Sequence, residues 1–293
     1  MSPMKRWWLY LLAILAVAYL TAPFVWLLGA SFMTQREQVN GRWFPREPTL
    51  ENYALYVLPP QEEFTLGQER DTPLALGAGT AARFGRGMRN SFAIGLAVVL
   101  FNLVLGALAA YGIARLPAKI NMGLLLFYLI SRSVPAVAIM IPMYLLMQQI
   151  GLLDSPVSIV LAHCYGTLPF TVWLLKGYFQ TVPVDLERAA RVDGCSRLKT
   201  LWRVFLPVAT PGLIAAGIFA FISSWGEFLF ALLFSTTMFS KTLTVLASEF
   251  VAEIEIPFPL IAAGGVIAVI VPVVLAFTFQ RFIVRGIGGA VTG

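Results

Sequence analysis

Apolar runs of about 20 residues, nearly free of charge, recur along this chain, and that is the length a helix needs to cross roughly 30 Å of hydrocarbon. They lie near 7–30, 90–113, 122–149, 155–180, 207–234 and 258–283. Strands of a membrane barrel alternate apolar with polar residues, whereas LLLFYLI at 124–130 and FAFISSWGEFLFALLF at 219–234 do not, so helices are the spanning structure that fits. The expected fold is all-α: a polytopic membrane protein with six transmembrane helices forming one domain over 1–293. Composition agrees. The chain is 58% hydrophobic and 12% charged, where soluble domains run near 45–50% and about 25%. A water-soluble globule, a disordered chain, a disulfide scaffold and a nucleic-acid-binding domain are excluded, because only two cysteines are present and the +6 charge is not gathered into one basic arm.

The first run begins after Lys5 and Arg6, as a signal peptide does, but its apolar stretch is too long and no small-residue cleavage site follows, so it reads as a retained span. Short loops keep their positive charge on the cytoplasmic side. Lys5 and Arg6, Arg115 and Lys119, the six basic residues of 176–205, and Arg281 with Arg285 all fall on one side of a six-span arrangement. The other side carries Asp154 in one loop and Lys241 against Glu249, Glu253 and Glu255 in another. Both termini are therefore expected in the cytoplasm. The long segment 31–89, with seven basic and seven acidic residues, becomes an extracytoplasmic loop or small cap. Such a surface serves either to receive a solute-delivering protein or to shield the helices.

Enzymatic chemistry has little to build with. One histidine, two cysteines and few intramembrane charges do not assemble a catalytic centre, and neighbouring His163 and Cys164 point to different faces of a helix, so they form no metal pair. His163 is expected to be a packed, hydrogen-bonded residue, and both thiols ordinary packing residues. No Gly-rich loop ending in Gly-Lys-Ser/Thr occurs, so the chain carries no P-loop of its own. Two ionisable residues stand at membrane depth, Arg132 and Glu227. Each is costly in hydrocarbon and must face protein, water or the interface. They either line a translocation path, together with aromatic residues such as Tyr144 and Trp225, or reach the headgroup region by snorkelling. Pro135, Pro142 and Pro272 interrupt backbone hydrogen bonding inside spans and permit kinks.

The most informative stretch is too polar to span: PVDLERAARVDGCSRLKTLWRVFLPVATP, Pro183 to Pro211. Pro183 marks the exit from the fourth span, Asp185 is placed to cap a helix, and Ala189 and Ala190 allow close approach of another surface. Asp193-Gly194 reads as a stop and turn. A second helix over 196–205 places Leu198, Leu201, Trp202 and Phe205 at helical spacing to lie along the bundle. The object is a short helix, a turn and a second helix, a coupling segment over 183–206 suited to fit a groove on a cytoplasmic partner.

Here the chain resembles the inner-membrane permease subunits of binding-protein-dependent ABC importers, whose cytoplasmic loop carries Glu-Ala-Ala, a three-residue step and Gly, then Leu-Pro and a further Pro. The match runs through Ala189, Ala190, Asp193, Gly194, Leu206, Pro207 and Pro211. Within that group it is most similar to the MalG-like subunits of carbohydrate importers, through Asn52-Tyr53, Asn90-Ser91, Pro135, Ile141-Pro142, Trp225-Gly226-Glu227-Phe228, Lys241-Thr242-Leu243 and Arg285-Gly286-Ile287-Gly288-Gly289-Ala290. Two departures stand out. The signature Glu is Arg188 here, with Glu187 just ahead of it, and the chain ends Thr292-Gly293 where the family ends Lys-Gly. In the family that Glu meets a basic residue of the ATPase, so either Glu187 substitutes by a turn of about 100° around the helix or the cognate ATPase offers an acidic partner.

The resemblance implies half of a translocation pore, coupled through Glu187, Arg188, Ala189, Ala190, Asp193 and Gly194 to a cytoplasmic ATPase. ATP and Mg²⁺ are then held by that ATPase, with no cofactor in this chain. It also implies a second, non-identical permease, two copies of the ATPase, an extracytoplasmic substrate-binding protein and a sugar as substrate, in a bacterial or archaeal plasma membrane. Rival readings are the same architecture importing glycerol phosphate, polyamine or an ion, an autonomous channel or secondary transporter, and an intramembrane enzyme. The secondary transporter predicts inverted repeats, which are not apparent.

Overall fold

The computed structural model describes the backbone of residues 7–57, 73–252 and 258–291, with side chains for all of these except 57, 73–82, 118, 129, 132, 251, 252 and 283–291. The fold is all-α, with no strand among the described residues. The helices are α1 (Trp7–Ser31), α2 (Gln35–Val39), α3 (Glu51–Val57), α4 (Pro73–Ala114), α5 (Ala118–Arg132), α6 (Ala136–Gln149), α7 (Pro156–Gln180), α8 (Val184–Val192), α9 (Arg197–Thr200), α10 (Leu206–Val208), α11 (Thr210–Trp225), α12 (Leu229–Phe234), α13 (Leu243–Ala252) and α14 (Phe258–Val291). A π-helical turn, Leu201–Phe205, joins α9 to α10.

Four helical stretches among the described residues are long and apolar enough to cross a membrane: Trp7–Ser31, Arg83–Ala114, Pro156–Gln180 and Phe258–Phe282. A fifth exists if Arg197–Val208 and Thr210–Trp225, bent by 84°, count as one. The continuous helices expected over 122–149 and 207–234 are corrected. The first is divided into α5 and α6 at Ser133–Pro135, because Pro135 has no N–H to donate and its ring drives Val134 out of helical backbone. The second bends at Ala209, between Pro207 and Pro211, and stops again at Gly226. Pro142 and Pro272 lie inside α6 and α14 without ending them. The segment 31–89, expected as an outer loop or small cap, has helical structure of its own. It holds α2 and α3, and α4 is already helical from Pro73, with 58–72 outside the described residues.

The chain divides into two compact units. One comprises 1–85 with 246–270. In it, α1 leaves nearly its whole apolar length exposed, only Ala30 and Ser31 being buried, as a helix surrounded by hydrocarbon tolerates. Its foot is fastened by polar contacts. Asn52 donates through Nδ2 to the carbonyls of Ser31 and Met33, both at 2.9 Å, and the Tyr53 hydroxyl lies 2.6 Å from that of Ser31. The Tyr56 hydroxyl donates to the Leu260 carbonyl at 2.9 Å. Gly264 permits this approach, since a Cβ there would stand 2.7 Å from the tyrosine oxygen.

The other unit comprises 86–245 with 271–293. Its axis is α7, which packs against α5, α11 and α12. Close helix crossings depend on small residues. A Cβ at Gly106 would stand 2.7 Å from the Thr171 methyl, and one at Gly95 would meet the Phe221 ring at 2.9 Å. The core runs from Ala107, Ala110 and Ile113 through Leu175 and Phe179 to Leu201, Phe205 and Ala216. Unlike a pure hydrocarbon core it buries polar pairs, Asn102 donating to Thr167 at 2.6 Å among them.

Candidate functional site

Segment 183–206 follows α7 after Thr181, and Pro183, with φ −57° and ψ 137° typical of extended proline, starts α8 as its N-cap without a side-chain cap bond. Asp185 is not the cap expected from sequence. It sits within the first turn, where a carboxylate favours the helix dipole, and pairs with Arg188 at 3.2 Å across one turn in full exposure. Helix α8 closes in a Schellman motif: the Gly194 N–H donates to the Arg191 carbonyl at 3.0 Å and the Cys195 N–H to the Ala190 carbonyl at 2.9 Å. That closure needs the left-handed backbone that Gly194 supplies with φ +78°. Ser196 then caps α9 by accepting from the Lys199 amide.

The stripe expected at 198, 201, 202 and 205 is corrected by the π turn. Leu201 and Phe205 are buried, but Leu198 and Trp202 face outward, because the wider turn re-registers the helix so that 201, 205 and 209 share the inner face.

Glu187 faces inward. Its carboxylate accepts from Arg115 Nε at 2.6 Å, just beyond the end of α4, and from the Tyr111 hydroxyl at 3.0 Å, on the last turn of that helix. Arg115 also donates to the Val182 carbonyl at 3.3 Å and lies 4.8 Å above the Phe205 ring. One guanidinium therefore joins α4, the end of α7, α8 and the π turn. Sequence reading missed this role for Arg115, for which the only signal was a lone positive charge at the exit of a span. Ala190 is buried beneath α8, while Arg188, Ala189, Asp193 and Gly194 are exposed. A cleft of about 370 Å³ opens between α4 and α8, walled by Tyr111, Arg115, Glu187, Arg188, Arg191 and Arg197 among others.

The residues expected along a path stand on α5, α6, α11 and the break between α11 and α12. Arg132 ends α5, and its side chain lies outside the described residues. Tyr144 packs 6.5 Å from the Phe234 ring, and Trp225 stacks on Phe221 at 5.7 Å. Glu227 neither snorkels nor stands free. It occupies the break between α11 and α12, where its carboxylate accepts from the Phe230 amide at 2.9 Å and the Ala231 amide at 3.1 Å, satisfying two orphan donors of α12. The same group lies 2.8 Å from His163 Nε2, whose Nδ1 is 2.7 Å from the Ser224 hydroxyl. Thr244 donates to the Glu227 carbonyl at 2.7 Å. This arrangement pins a helix break. The resembling tail residues Arg285 to Ala290 lie outside the described side chains. Among the described residues no group of three His, Cys, Asp or Glu could hold a metal, and both cysteines are free.

The chain is thus a helical membrane protein with a short helical elbow, α8 to α9, braced against the end of α4. Residues 102–289 match the family described as the binding-protein-dependent transport system inner membrane component. The chain belongs to this family, and it is thus a multi-pass permease subunit of an ABC importer, not an enzyme, that works with a substrate-binding protein. It is 32% identical over 267 residues to the sulfoquinovosyl glycerol transport system permease SmoH of Agrobacterium fabrum, covering 90% of this chain and 86% of that one. With the trehalose/maltose transport system permease MalG of Thermococcus litoralis it shares 30% over 292 residues, 99% and 98% of the two chains. Its fold is similar to a chain in the crystal structure of a bacterial ABC transporter involved in import of the acidic polysaccharide alginate, with TM-score 0.73, 19% identity, and 96% and 98% coverage.

Proposed function

We propose that this chain forms half of the pore of an ATP-driven carbohydrate importer and that 183–206 is the handle by which a cytoplasmic ATPase moves it. The cargo class is supported by relatives whose names specify sulfoquinovosyl glycerol, trehalose/maltose and, for a Streptomyces coelicolor relative, diacetylchitobiose. The handle rests on one observation: α8 is fastened to the end of α4 by the Glu187–Arg115 pair and closed by a glycine turn. A segment so braced transmits displacement as a rigid body, and a two-state rocking of helices needs such an element. In this scheme Glu187 anchors the handle, Ala190 seats it, and Arg188, Ala189, Asp193 and Gly194 face the motor. The assembly comprises a second, non-identical permease, two ATPase copies carrying ATP and Mg²⁺, and an extracytoplasmic substrate-binding protein, with both termini of this chain cytoplasmic. Arg132, Tyr144, Trp225 and Glu227 are the residues this scheme assigns to the translocation path, Glu227 also pinning the break between α11 and α12.

Affinity purification from the native membrane with mass identification of bound chains tests the assembly, and uptake of labelled disaccharides into proteoliposomes tests the cargo. ATP-dependent disaccharide uptake that needs the receptor and the ATPase is expected. Full-rate solute movement by this chain alone would overturn the proposal, and uptake of glycerol phosphate or polyamine in place of sugar would overturn the cargo class.

A further inference from the structure

We infer that the cleft between α4 and α8 receives carboxylate side chains of the ATPase, so that this permease grips its motor with a charge polarity opposite to that of the family signature. The inference rests on the coupling role proposed for 183–206. Four arginines, Arg115, Arg188, Arg191 and Arg197, wall the cleft against a single carboxylate, that of Glu187. Glu187 offers nothing outward, because its two oxygens are taken by Arg115 and Tyr111 and its side chain is only 13% exposed. Arg188, where the signature has Glu, is 75% exposed. Its one ion pair, with Asp185, is between two exposed side chains across a helical turn, and such a pair is worth little. Arg191 and Arg197 have no ion-pair partner among the described residues. Three guanidinium groups are thereby left facing a cavity of about 370 Å³, near the lower end of ligand-sized cavities at roughly 300–1,000 Å³. Guanidinium forks pair with carboxylates through two parallel bonds, and the cavity has room for such an insertion.

An anionic bilayer surface is the weaker occupant. Asp185 and Asp193 are exposed at the two ends of α8. A planar array of anionic headgroups meets both of them together with the arginines, whereas a discrete acidic side chain enters the cleft and avoids them. Surfaces that bind anionic lipid are runs of Lys and Arg without such acids.

The test uses the whole importer in nanodiscs, with the ATPase that co-purifies as probe. In R191E/R197E its affinity at 0.1 M salt is expected to fall roughly 30-fold or more, and the steep weakening of wild-type binding by salt is expected to flatten. Unchanged affinity and an unchanged salt slope would overturn the inference, as would loss of bound phosphatidylglycerol from the variant with ATPase affinity intact. The wild-type protein gives an independent reading, since ATPase binding indifferent to salt between about 0.05 and 0.5 M, roughly threefold apart in Debye length, also overturns it. Native Cys195 beside the turn separates the two proposals. A bifunctional thiol cross-link from Cys195 to the ATPase that persists in a failed charge test leaves the coupling role standing; absence of that cross-link in the wild type removes the coupling role itself.

Discussion

Replacing Glu187 with Gln should loosen α8 without unfolding the chain. The carboxylate accepts two hydrogen bonds, one of them from a guanidinium at 2.6 Å, in a site where the two ion-pair side chains are 23% and 13% exposed. Hydrogen bonds to charged groups contribute about 1.5–3 kcal/mol each. Gln keeps one acceptor oxygen but loses the charge, and Arg115 retains its bond to Val182 and its place over Phe205, so a net loss of about 2 kcal/mol is expected. Local opening of α8 then becomes about 30-fold more frequent, at 1.4 kcal/mol per tenfold. Hydrogen exchange of the amides between 187 and 195, measured in nanodiscs, reads this directly. Arg188→Gln is the internal control: it breaks an exposed pair worth less than about 1 kcal/mol, so exchange should rise less than fivefold or so. Arg115→Gln completes a double-mutant cycle, in which the two effects must be strongly non-additive. Additive effects, or equal exchange in the Glu187 and Arg188 variants, would show that the pair does not fasten the helix.

Gly194→Val should abolish ATPase coupling while membrane insertion persists, because left-handed backbone costs a side-chain-bearing residue roughly 1–2 kcal/mol and the open space around Gly194 leaves backbone strain as the only penalty; Gly194→Asn should retain most coupling, and normal transport by the Val variant contradicts the assignment. Glu227→Ala strips two amides of α12 and leaves His163 Nε2 unpaired, costing about 2–4 kcal/mol, which a fall in the unfolding midpoint of the purified complex should report. Asp154 lies between α6 and α7, and burial alone would raise its pKa, but hydrogen bonds from the Ser240 and Thr237 hydroxyls and the Thr237 and Thr236 amides outweigh that and hold the carboxyl below its usual range. A depressed folded-state pKa means stabilisation that is complete above the unfolded value of about 3.9 and is lost as pH falls below it. Exchange protection at Thr236 and Thr237, corrected for intrinsic rates, should therefore decline on acidification below that value in the wild type and be low and flat with pH in Asp154→Asn.

Periodicity and span length sufficed for the helical class, since a polar backbone in hydrocarbon leaves few alternatives. Breaks in the helices were harder to read. Pro135 caps the start of α6 just after the polar Ser131-Arg132-Ser133, while Pro142 lies inside α6 in apolar sequence; a proline is kept within a helix where neighbouring groups supply the missing backbone partners, which local sequence does not encode. The π turn is likewise a tertiary effect: Leu198, Leu201, Trp202 and Phe205 have regular helical spacing, and only the wider turn assigns two of them inward and two outward. Arg115 lay beyond sequence reasoning because its partner is 72 residues away and the pairing is made by the packing of α4 beside α8.

The polar residues of the scattered resemblance have a common physical use. Asn52 and Tyr53 fasten the end of α1; the Asn90 amide donates to the carbonyls of Phe239 at 3.1 Å and Lys241 at 3.0 Å, and the Ser91 hydroxyl accepts from the Leu243 amide at 2.9 Å. Glu227 does the same for α12. Apart from Tyr53, whose hydroxyl meets that of Ser31, each side chain satisfies backbone groups near a helix end, and an unsatisfied group in an apolar environment costs several kcal/mol. Such residues fix where helices may stop, which is a property of the scaffold and indifferent to cargo. Glu187 belongs with them, because it too spends its charge inside the fold. Arg188, about 100° further round the same helix, does not: its guanidinium is exposed and holds only an exposed pair with Asp185, which the proposed motor can displace. The resemblance therefore identifies the scaffold, while the departure from it at Arg188 bears on the partner: an ATPase carrying the basic contact of the ordinary signature would meet like charge here, and exchanging that ATPase for the co-purifying one should weaken binding in low salt and recover as salt screens the repulsion.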